Sequence, residues 1–273
     1  MANTPIRIRS FSVWLYPFMA FALIALISFV PSGPLKKERT GTLLDLADKE
    51  LREMNYPKAD SIYSAELLKN PGSAELYWKL ARLQVSIGES VSPENTDAGL
   101  LHYRKAAEYA RTSISIDSTS SKGHSWLAAS LGIMADKIGN KEKLKRANEI
   151  KRELDTALRL NPNDDTALSL IGSYYREAAN IGWFKRVVAN TFIGDVPKGN
   201  YELAEKAFRK AIVLDPQLIR NYHELALICI EKDNREEAVR LMKIALEKPA
   251  LIASDRRRLE EMRKLVKKYA QGQ

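Results

Sequence analysis

The chain has 273 residues and a formal net charge of +9, and 45% of its residues are hydrophobic. This length accommodates one or two globular domains or one repeat array, and the single cysteine, Cys229, excludes an internal disulfide framework and a multi-cysteine zinc site. The positive charge favours an acidic partner, whether anionic lipid, an acidic protein surface or nucleic acid, although a solvated surface rich in lysine explains it equally well.

Residues 11–30 form an uncharged apolar run that is long enough to cross a bilayer as a helix. Trp14 and Tyr16 lie at its amino-terminal edge, where interfacial aromatic residues are common. No Ala-x-Ala cleavage site follows, so we expect a retained single-pass anchor rather than the cleaved signal of a secreted protein. Basic residues flank both ends and leave the orientation open. We expect the remaining chain to be exported, into the periplasm of a bacterium, rather than to face the cytosol; residues 1–40 are then anchor and linker.

Residues 41–250 show the spacing of small and apolar residues that is typical of tetratricopeptide repeats. The clearest second helix is Tyr201–Pro216, where small Ala204 and Ala211 share one face with bulky Phe208. The same frame recurs along the chain at a period of about 34 residues. The sequence therefore predicts an all-α solenoid of about five helix pairs, each burying its apolar face on its neighbours. Unrelated amphipathic helices in a bundle are the alternative.

Three of the units are longer than the standard period, and the excess lies between their two helices. The first insertion, Ile87–Gly99, is rich in turn-forming residues and is predicted to be a loop, whereas the basic insertion around Asp136–Lys145 is predicted to extend the second helix of its unit. The third insertion, Asn180–Asn200, has apolar residues at helical spacing and predicts an inserted amphipathic helix. This helix either closes the core or forms a lid over a ligand groove. The lid residues are then Trp183, Phe184, Val187 and Phe192.

Residues 251–273 contain a basic helix that we predict over Ala253–Ala270, with Ser254 or Asp255 as its amino-terminal cap. Its apolar stripe consists of Leu259, Met262, Leu265, Val266 and Tyr269. Lysines and arginines occupy the other faces. A repeat array needs a terminal helix with a polar outer face, so we interpret this helix as the cap of the array. Binding of an acidic partner or of anionic lipid by its basic face is the alternative.

The sequence lacks the familiar motifs of catalysis and cofactor binding. It contains no nucleotide-binding glycine loop, no His-Glu-x-x-His and no Gly-x-Ser-x-Gly. His102, His124 and His223 lie on different units and have no metal-ligand spacing. We therefore predict a protein that is not an enzyme, with no catalytic residues, no metal and no cofactor.

The first helix of each unit should line the concave face of the array. The repeat frame places there Trp78, Arg82, Lys122, Ser125, Ser169, Ser173, Arg176, Arg220, His223 and Leu227. These side chains suit an acidic or carboxylate-bearing peptide, or the head group of an anionic phospholipid. A solvated face without a ligand is the alternative. We do not expect nucleic acid as a partner, because the basic residues are spread over several faces without an aromatic platform.

Within about Ala74–Lys248 the chain resembles the regulator-of-microtubule-dynamics family of tetratricopeptide proteins. The similar segments are Trp78–Arg82, His124–Ala128, Asn148–Lys151, Ala157–Pro162, Gly172 leading into Trp183–Arg186, and Tyr201–Ala204. The resemblance implies an all-helical repeat domain, often behind an amino-terminal membrane segment, that acts as a tether or adaptor. It implies microtubule association in animal members and phospholipid binding in one branch. We expect a bacterial relative, for which tubulin is not an expected partner, and so transfer only the architecture.

Two hypotheses follow from the sequence. The first is a membrane-anchored scaffold, not an enzyme, whose concave groove binds a segment of a partner protein. The second is a phospholipid-binding or membrane-tethering domain, in which the inserted helix covers an acyl chain. An apolar cavity under the inserted helix would favour the second hypothesis, and a polar groove would favour the first.

Overall fold

The computed structural model describes residues 42–92, 94–180 and 199–270. The chain divides into two units, Met1–Thr40 and Gly41–Gln273, and every described residue belongs to the second unit. Within the described ranges all regular elements are α-helices, and no β-strand occurs. The all-α prediction is therefore confirmed for this part of the chain.

Eleven helices follow one another along the described ranges. They are α1 (Leu43–Arg52), α2 (Tyr56–Lys69), α3 (Ala74–Ser90), α4 (Thr96–Ile116), α5 (Ser121–Ile138), α6 (Asn140–Leu160), α7 (Asp165–Ala179), α8 (Tyr201–Leu214), α9 (Ile219–Glu231), α10 (Arg235–Leu246) and α11 (Ala253–Ala270). The first ten pack as consecutive pairs, from α1 with α2 to α9 with α10, and α11 follows. The predicted five pairs and the C-terminal helix are thus present.

Residues with short polar side chains cap the amino-terminal ends of many of these helices. Each of five such residues accepts a hydrogen bond from the backbone N–H three positions later: Ser73, Asn95, Ser120, Asp164 and Asn200. The caps satisfy amides for which the first turn of a helix has no internal partner. They fix where α3, α4, α5, α7 and α8 begin, and so help to set the length of each pair.

The core is a series of apolar clusters along the array rather than one centre. Near the amino-terminal end, Leu51 and Tyr63 pack with Leu80 of α3. Further along, three more clusters have as members Ala107 with Leu131, Leu154 with Ile171, and Phe208 with Leu225 and Met262. Each cluster joins neighbouring helix pairs, as expected where every repeat is stabilised by contact with the next one.

The structure corrects the prediction of a loop over Ile87–Gly99. Helix α3 continues to Ser90 and α4 already begins at Thr96, so most of the insertion is helical. Gly88 permits this extension, because a Cβ at this position would stand only 2.6 Å from the Cε1 atom of Tyr103. The absence of a side chain therefore lets α3 and α4 approach closely where a loop was expected.

The basic insertion around Asp136–Lys145 is helical, as predicted, but it lengthens both helices of its pair. Helix α5 runs to Ile138 and α6 starts at Asn140, with Gly139 between them. Gly139 has a φ of +124°, which side chains rarely tolerate. This glycine therefore provides the sharp turn between the two long helices.

Helix α11 has the predicted bounds, Ala253–Ala270, and its apolar stripe is packed against the preceding helices. Its beginning differs from the prediction, since neither Ser254 nor Asp255 precedes the first turn. Instead the Asp255 carboxylate lies inside that turn and accepts hydrogen bonds from the backbone amides of Leu251 at 3.1 Å and Ile252 at 3.3 Å. The carboxylate thus stabilises the start of the helix from within.

Two predicted elements lie outside the described residues. The first is the membrane anchor at residues 11–30, and the second is the inserted helix with its lid residues Trp183, Phe184, Val187 and Phe192. Helices α7 and α8, on either side of this insertion, pack against each other and form the fourth pair. Among the described helices, none combines the length and the apolar character that crossing a bilayer requires.

Candidate functional site

The first helices of successive pairs contact one another in order: α3 with α5, α5 with α7, and α7 with α9. We call these four helices the inner row. Every side chain that the repeat frame assigned to the concave face lies on one of them. Trp78 and Arg82 belong to α3, Lys122 and Ser125 to α5, Ser169, Ser173 and Arg176 to α7, and Arg220, His223 and Leu227 to α9.

At the amino-terminal end of the row, Asp48 of α1 joins three side chains. Its carboxylate accepts hydrogen bonds from the Tyr63 hydroxyl at 2.6 Å and from the Lys79 ammonium group, and Nη1 of Arg82 lies 3.8 Å away. Burial and the hydrogen bond to Asp48 raise the pKa of Tyr63. Nζ of Lys79 also lies 4.8 Å from the centroid of the Trp78 ring, within range of a cation–π contact. Arg82 therefore already faces a carboxylate of its own chain.

Between α5 and α7, Asp164 is buried without exposed surface and joins the two helices. Its carboxylate accepts hydrogen bonds from Oγ of Ser121 at 3.0 Å, Oγ of Ser125 at 2.9 Å and Nζ of Lys122 at 3.1 Å. Nζ of Lys122 also lies 2.6 Å from Oδ1 of Asp165. Ser125 is itself fully buried, so a ligand reaches it only if α5 and α7 separate. Ser125 and Lys122 thus hold the array together at this point.

Between α7 and α9, two predicted arginines bond across the helix interface. Nε of Arg176 donates to Oε2 of Glu224 at 2.6 Å, and Nη2 of Arg220 donates to Oγ of Ser173 at 3.1 Å. Burial alone raises the pKa of Glu224, but the neighbouring His223 and the charges of Arg176 and Arg220 outweigh it and lower the pKa to about 2. Glu224 is therefore ionised at neutral pH and balances the arginines beside it.

Arg220 differs from the other predicted cations of the inner row. Among the described residues it forms no ion pair with a carboxylate, and the hydroxyl of Ser173 is its hydrogen-bond partner. Burial lowers the pKa of Arg220 and nearby Arg258 acts in the same direction, against Glu224 and other carboxylates at a longer range. A guanidinium group with unused donors suits a carboxylate ligand.

The remaining predicted side chains of α7 and α9 are mostly buried. Ser169 and Ser173 are both less than a tenth exposed, and the Ser173 hydroxyl donates to the Ser169 carbonyl at 3.3 Å. His223 is also buried, with Nε2 at 3.2 Å from Oε2 of Glu261 but without the alignment of a hydrogen bond. Leu227 is half-buried. The inner row therefore exposes fewer of the predicted side chains than the repeat frame alone suggests.

Sequence reasoning selected the cations of the inner row and missed their carboxylate partners, Asp48, Asp164 and Glu224. Two of these had a local signal. Glu224 follows Arg220 by four residues and so shares its helix face, and Asp164 occupies the capping position before α7. The positive and negative side chains on the four helices of the inner row nearly cancel, whereas the whole chain has a net charge of +9.

Two of the histidines, His102 and His124, serve as hydrogen-bonding groups in the described part of the chain. Nδ1 of His102 lies 2.8 Å from Oε1 of Gln84, and Nδ1 of His124 lies 2.7 Å from Oε2 of Glu153. In the residues that the structure describes, no three side chains of histidine, cysteine, aspartate or glutamate are grouped so that they could hold a metal ion.

Comparison with known proteins places this architecture in a family. The sequence model described as "Regulator of microtubule dynamics protein 1-3" matches residues 43–270. The chain belongs to the regulator of microtubule dynamics family. The resemblance found in the sequence is thus confirmed, and the match extends it from the first described helix to the end of α11.

Relatives of this family member are 26–30% identical to it over the aligned residues. Regulator of microtubule dynamics protein 1 of Pongo abelii is 28% identical over 204 residues, which are 74% of this chain and 65% of that protein. The protein of the same name in Mus musculus is 30% identical over 164 residues, covering 60% of this chain and 52% of that protein. The Caenorhabditis elegans protein is 26% identical over 72% of this chain and 85% of its own length. The chain thus spans less than two thirds of the length of these mammalian relatives.

A solved structure supports the repeat architecture of the family member. The crystal structure of a thermophilic TPR protein from Thermus thermophilus superposes with a TM-score of 0.56 at 19% identity, covering 81% of this chain and 97% of that chain. At this identity the match establishes the fold alone, and it confirms the tetratricopeptide-like prediction. The family and this fold are typical of regulators and interaction scaffolds rather than enzymes.

Proposed function

We propose that this member of the regulator of microtubule dynamics family is an adaptor, not an enzyme, whose inner row binds a segment of a partner protein. The observation that carries the proposal is the unbroken contact of α3, α5, α7 and α9. It lays polar and charged side chains from four repeats side by side. Repeat arrays use such an inner surface to bind extended or helical segments of other proteins.

The charges of the inner row favour a partner segment with side chains of both signs and at least one carboxylate. Arg82, Lys122 and Arg176 already face carboxylates of their own chain, so they do not call for a strongly acidic partner. Arg220 bonds to a hydroxyl instead. We therefore propose that a carboxylate of the partner binds the guanidinium group of Arg220, where a bidentate contact is the favoured geometry.

Site-specific photo-crosslinking tests this proposal. A benzophenone amino acid replaces Trp78 on α3 in the full-length chain, and the matched control carries it at Leu101 of α4, which is 63% exposed on a second helix. We expect one partner to be captured from position 78 and not from position 101. Arg220→Gln should weaken this capture about tenfold because it removes the charge-assisted hydrogen bonds, and Arg152→Gln on α6 should not. Equal capture from both positions would contradict binding at the inner row.

We also propose that residues 11–30 hold this adaptor at a membrane as a single-pass anchor, with the repeat domain on the exported side. The support is the uncharged apolar run in the sequence. The full-length chain should stay in the membrane pellet after alkaline carbonate extraction, and a variant lacking residues 11–30 should not. Protection from added protease would indicate export, digestion would indicate a cytosolic-facing domain, and a mature mass without the run would indicate cleavage and secretion.

Phospholipid binding is the second hypothesis. Its predicted lid, Trp183 to Phe192, lies outside the described residues, so an experiment has to separate the two functions. Native mass spectrometry of the purified full-length chain separates the two functions. A phospholipid that stays bound after detergent exchange, and is lost in a Trp183→Ala, Phe184→Ala variant, would favour lipid binding. Lipid-free protein that still captures its partner from position 78 would favour the adaptor.

A further inference from the structure

The C-terminal helix α11 contacts two parts of the array that are far apart in sequence. It packs against α9 and α10, as the next helix of a solenoid does, and it also contacts α3. At this second contact Oγ of Ser254 donates to Oε2 of Glu89, 165 residues away, at 2.8 Å. Together with the contacts along the inner row, the α3–α11 contact closes a ring of five helices: α3, α5, α7, α9 and α11.

Different interactions hold the two sides of α11. Toward α9 and α10, Leu259 and Met262 belong to the same apolar cluster as Leu225 and Met242. Toward α3, no apolar cluster of the described residues includes both helices, and the hydrogen bond at Glu89 joins polar groups. Burial of apolar surface is the dominant stabilising contribution to packing. The α3–α11 contact, which we call the seam, is therefore a polar junction, whereas apolar clusters of the described residues lie at the other four junctions of the ring.

Polar and charged groups meet at the seam. Arg258 of α11 donates to Oγ of Ser254 at 2.8 Å and to Oδ1 of Asp255 at 3.0 Å, and its side chain is 13% exposed. Arg258 and Arg220 lie on α11 and α9, which pack against each other, so the repulsion between these two charges does not act across the seam. The seam itself is held by the hydrogen bond from Ser254 to Glu89. Because separated polar groups of this kind bond to water instead, the contact is easily shifted between two states.

We propose that the seam is a gate: α11 stays packed on α9 and α10 while it separates from α3, and the ring opens to admit a partner segment to Arg220 and Ser173. This inference rests on the proposed binding at the inner row and adds its regulation. Opening breaks the polar junction and leaves the apolar clusters intact, so it needs no unfolding of the array. A partner whose carboxylate pairs with Arg220 binds the open state more tightly and shifts the equilibrium toward it.

Thiol labelling measures the opening directly. The parent for this experiment is the full-length chain with Cys229→Ser, which removes the single native cysteine, and Ser173→Cys, which places a thiol at an 8% exposed position of the inner row. Adding Ser254→Ala and Glu89→Gln removes the seam hydrogen bond. We expect maleimide to label position 173 about tenfold faster, as loss of a hydrogen bond to a charged group implies. Ser115→Ala, which removes an exposed hydroxyl bonded within α4, is the matched control and should leave the rate unchanged.

Closing the seam covalently gives the converse test. Cysteines at positions 89 and 254, joined by a short bismaleimide in the Cys229→Ser background, should reduce partner capture from position 78 at least tenfold. Equal labelling rates with and without the seam hydrogen bond, at equal melting temperature, would overturn the gate. So would unchanged capture by the cross-linked ring, although binding at the inner row would then stand. Accelerated labelling without any partner capture would instead support the gate and contradict the adaptor.

Discussion

The ring of Phe208 lies directly on the backbone of Gly172, so that a Cβ added at Gly172 would stand 2.9 Å from three carbon atoms of that ring. Phe208 is fully buried and belongs to the apolar cluster of α8 to α11. The missing side chain lets α7 and α8 approach each other around the aromatic ring. This contact explains why glycine on a first helix and a bulky residue on a second helix recur together in the repeat pattern.

Gly172→Ala should therefore destabilise the repeat domain by about 1–3 kcal/mol, because the added methyl group overpacks a fully buried contact. Urea unfolding followed by circular dichroism measures the change. Gly72→Ala is the matched control, since no heavy atom lies within 4 Å of a Cβ built there, and it should change stability by no more than about 0.5 kcal/mol. Equal stability of the two variants would show that Phe208 moves aside without cost.

Asp164→Ala should be more damaging than Gly172→Ala. The substitution removes the cap of α7 and leaves the Ser125 hydroxyl without its carboxylate acceptor in a fully buried site, while Lys122 loses one of its two carboxylates. A loss of about 3 kcal/mol is expected, since breaking a buried pair from one side leaves unpaired groups behind. Asp117→Ala, at an exposed aspartate whose carboxylate accepts hydrogen bonds from Thr119, is the control for removing a carboxylate near a helix end. Comparable losses in both variants would argue against a special role of the α5–α7 joint.

Glu224 predicts how stability depends on acidity. Its folded-state pKa of about 2 lies below the ordinary value of 4.5, so its contribution is fully present above pH 4.5 and is lost as the pH falls from there toward 2. The size of that contribution is about 3 kcal/mol. Glu224→Gln should lower stability at pH 7, where Arg176 loses its partner, and should flatten the decline between pH 4.5 and 2. Parallel stability curves for parent and variant would rule out Glu224 as the group responsible.

The sequence predicts those features of the fold that depend on neighbouring residues. The spacing of Ala204, Phe208 and Ala211 implies one buried helix face, and all three residues are fully buried. The bounds of α11 follow in the same way from its apolar stripe. The loop predicted over Ile87–Gly99 was wrong, because turn-forming residues were weighed without the tertiary contact between Gly88 and the Tyr103 ring, which stabilises a helix there.

The site depends on contacts that the local pattern does not contain. The frame assigns Arg82, Lys122 and Arg176 to a face, but it does not show that each one meets a carboxylate from another helix. The contact of Ser254 with Glu89 is still harder to predict from the sequence, since it results from curvature accumulated over several repeats. Small rotations between repeats add along a solenoid, so closure of the ring requires coordinates.

Cys229 offers a measurement of the stability of α9 without any added probe. The thiol is 4% exposed within the same apolar cluster as Phe208, and burial raises its pKa, so the reactive thiolate is both covered and scarce. At pH 8 in native buffer, a thiol reagent should react at least about a hundredfold more slowly than in urea, because labelling requires opening of the cluster. Gly172→Ala should accelerate labelling in proportion to its loss of stability, and Gly72→Ala should not. Since the chain has one cysteine, each modified molecule reports this position; rapid labelling of the parent would contradict the packing of α9 against α8 and α10.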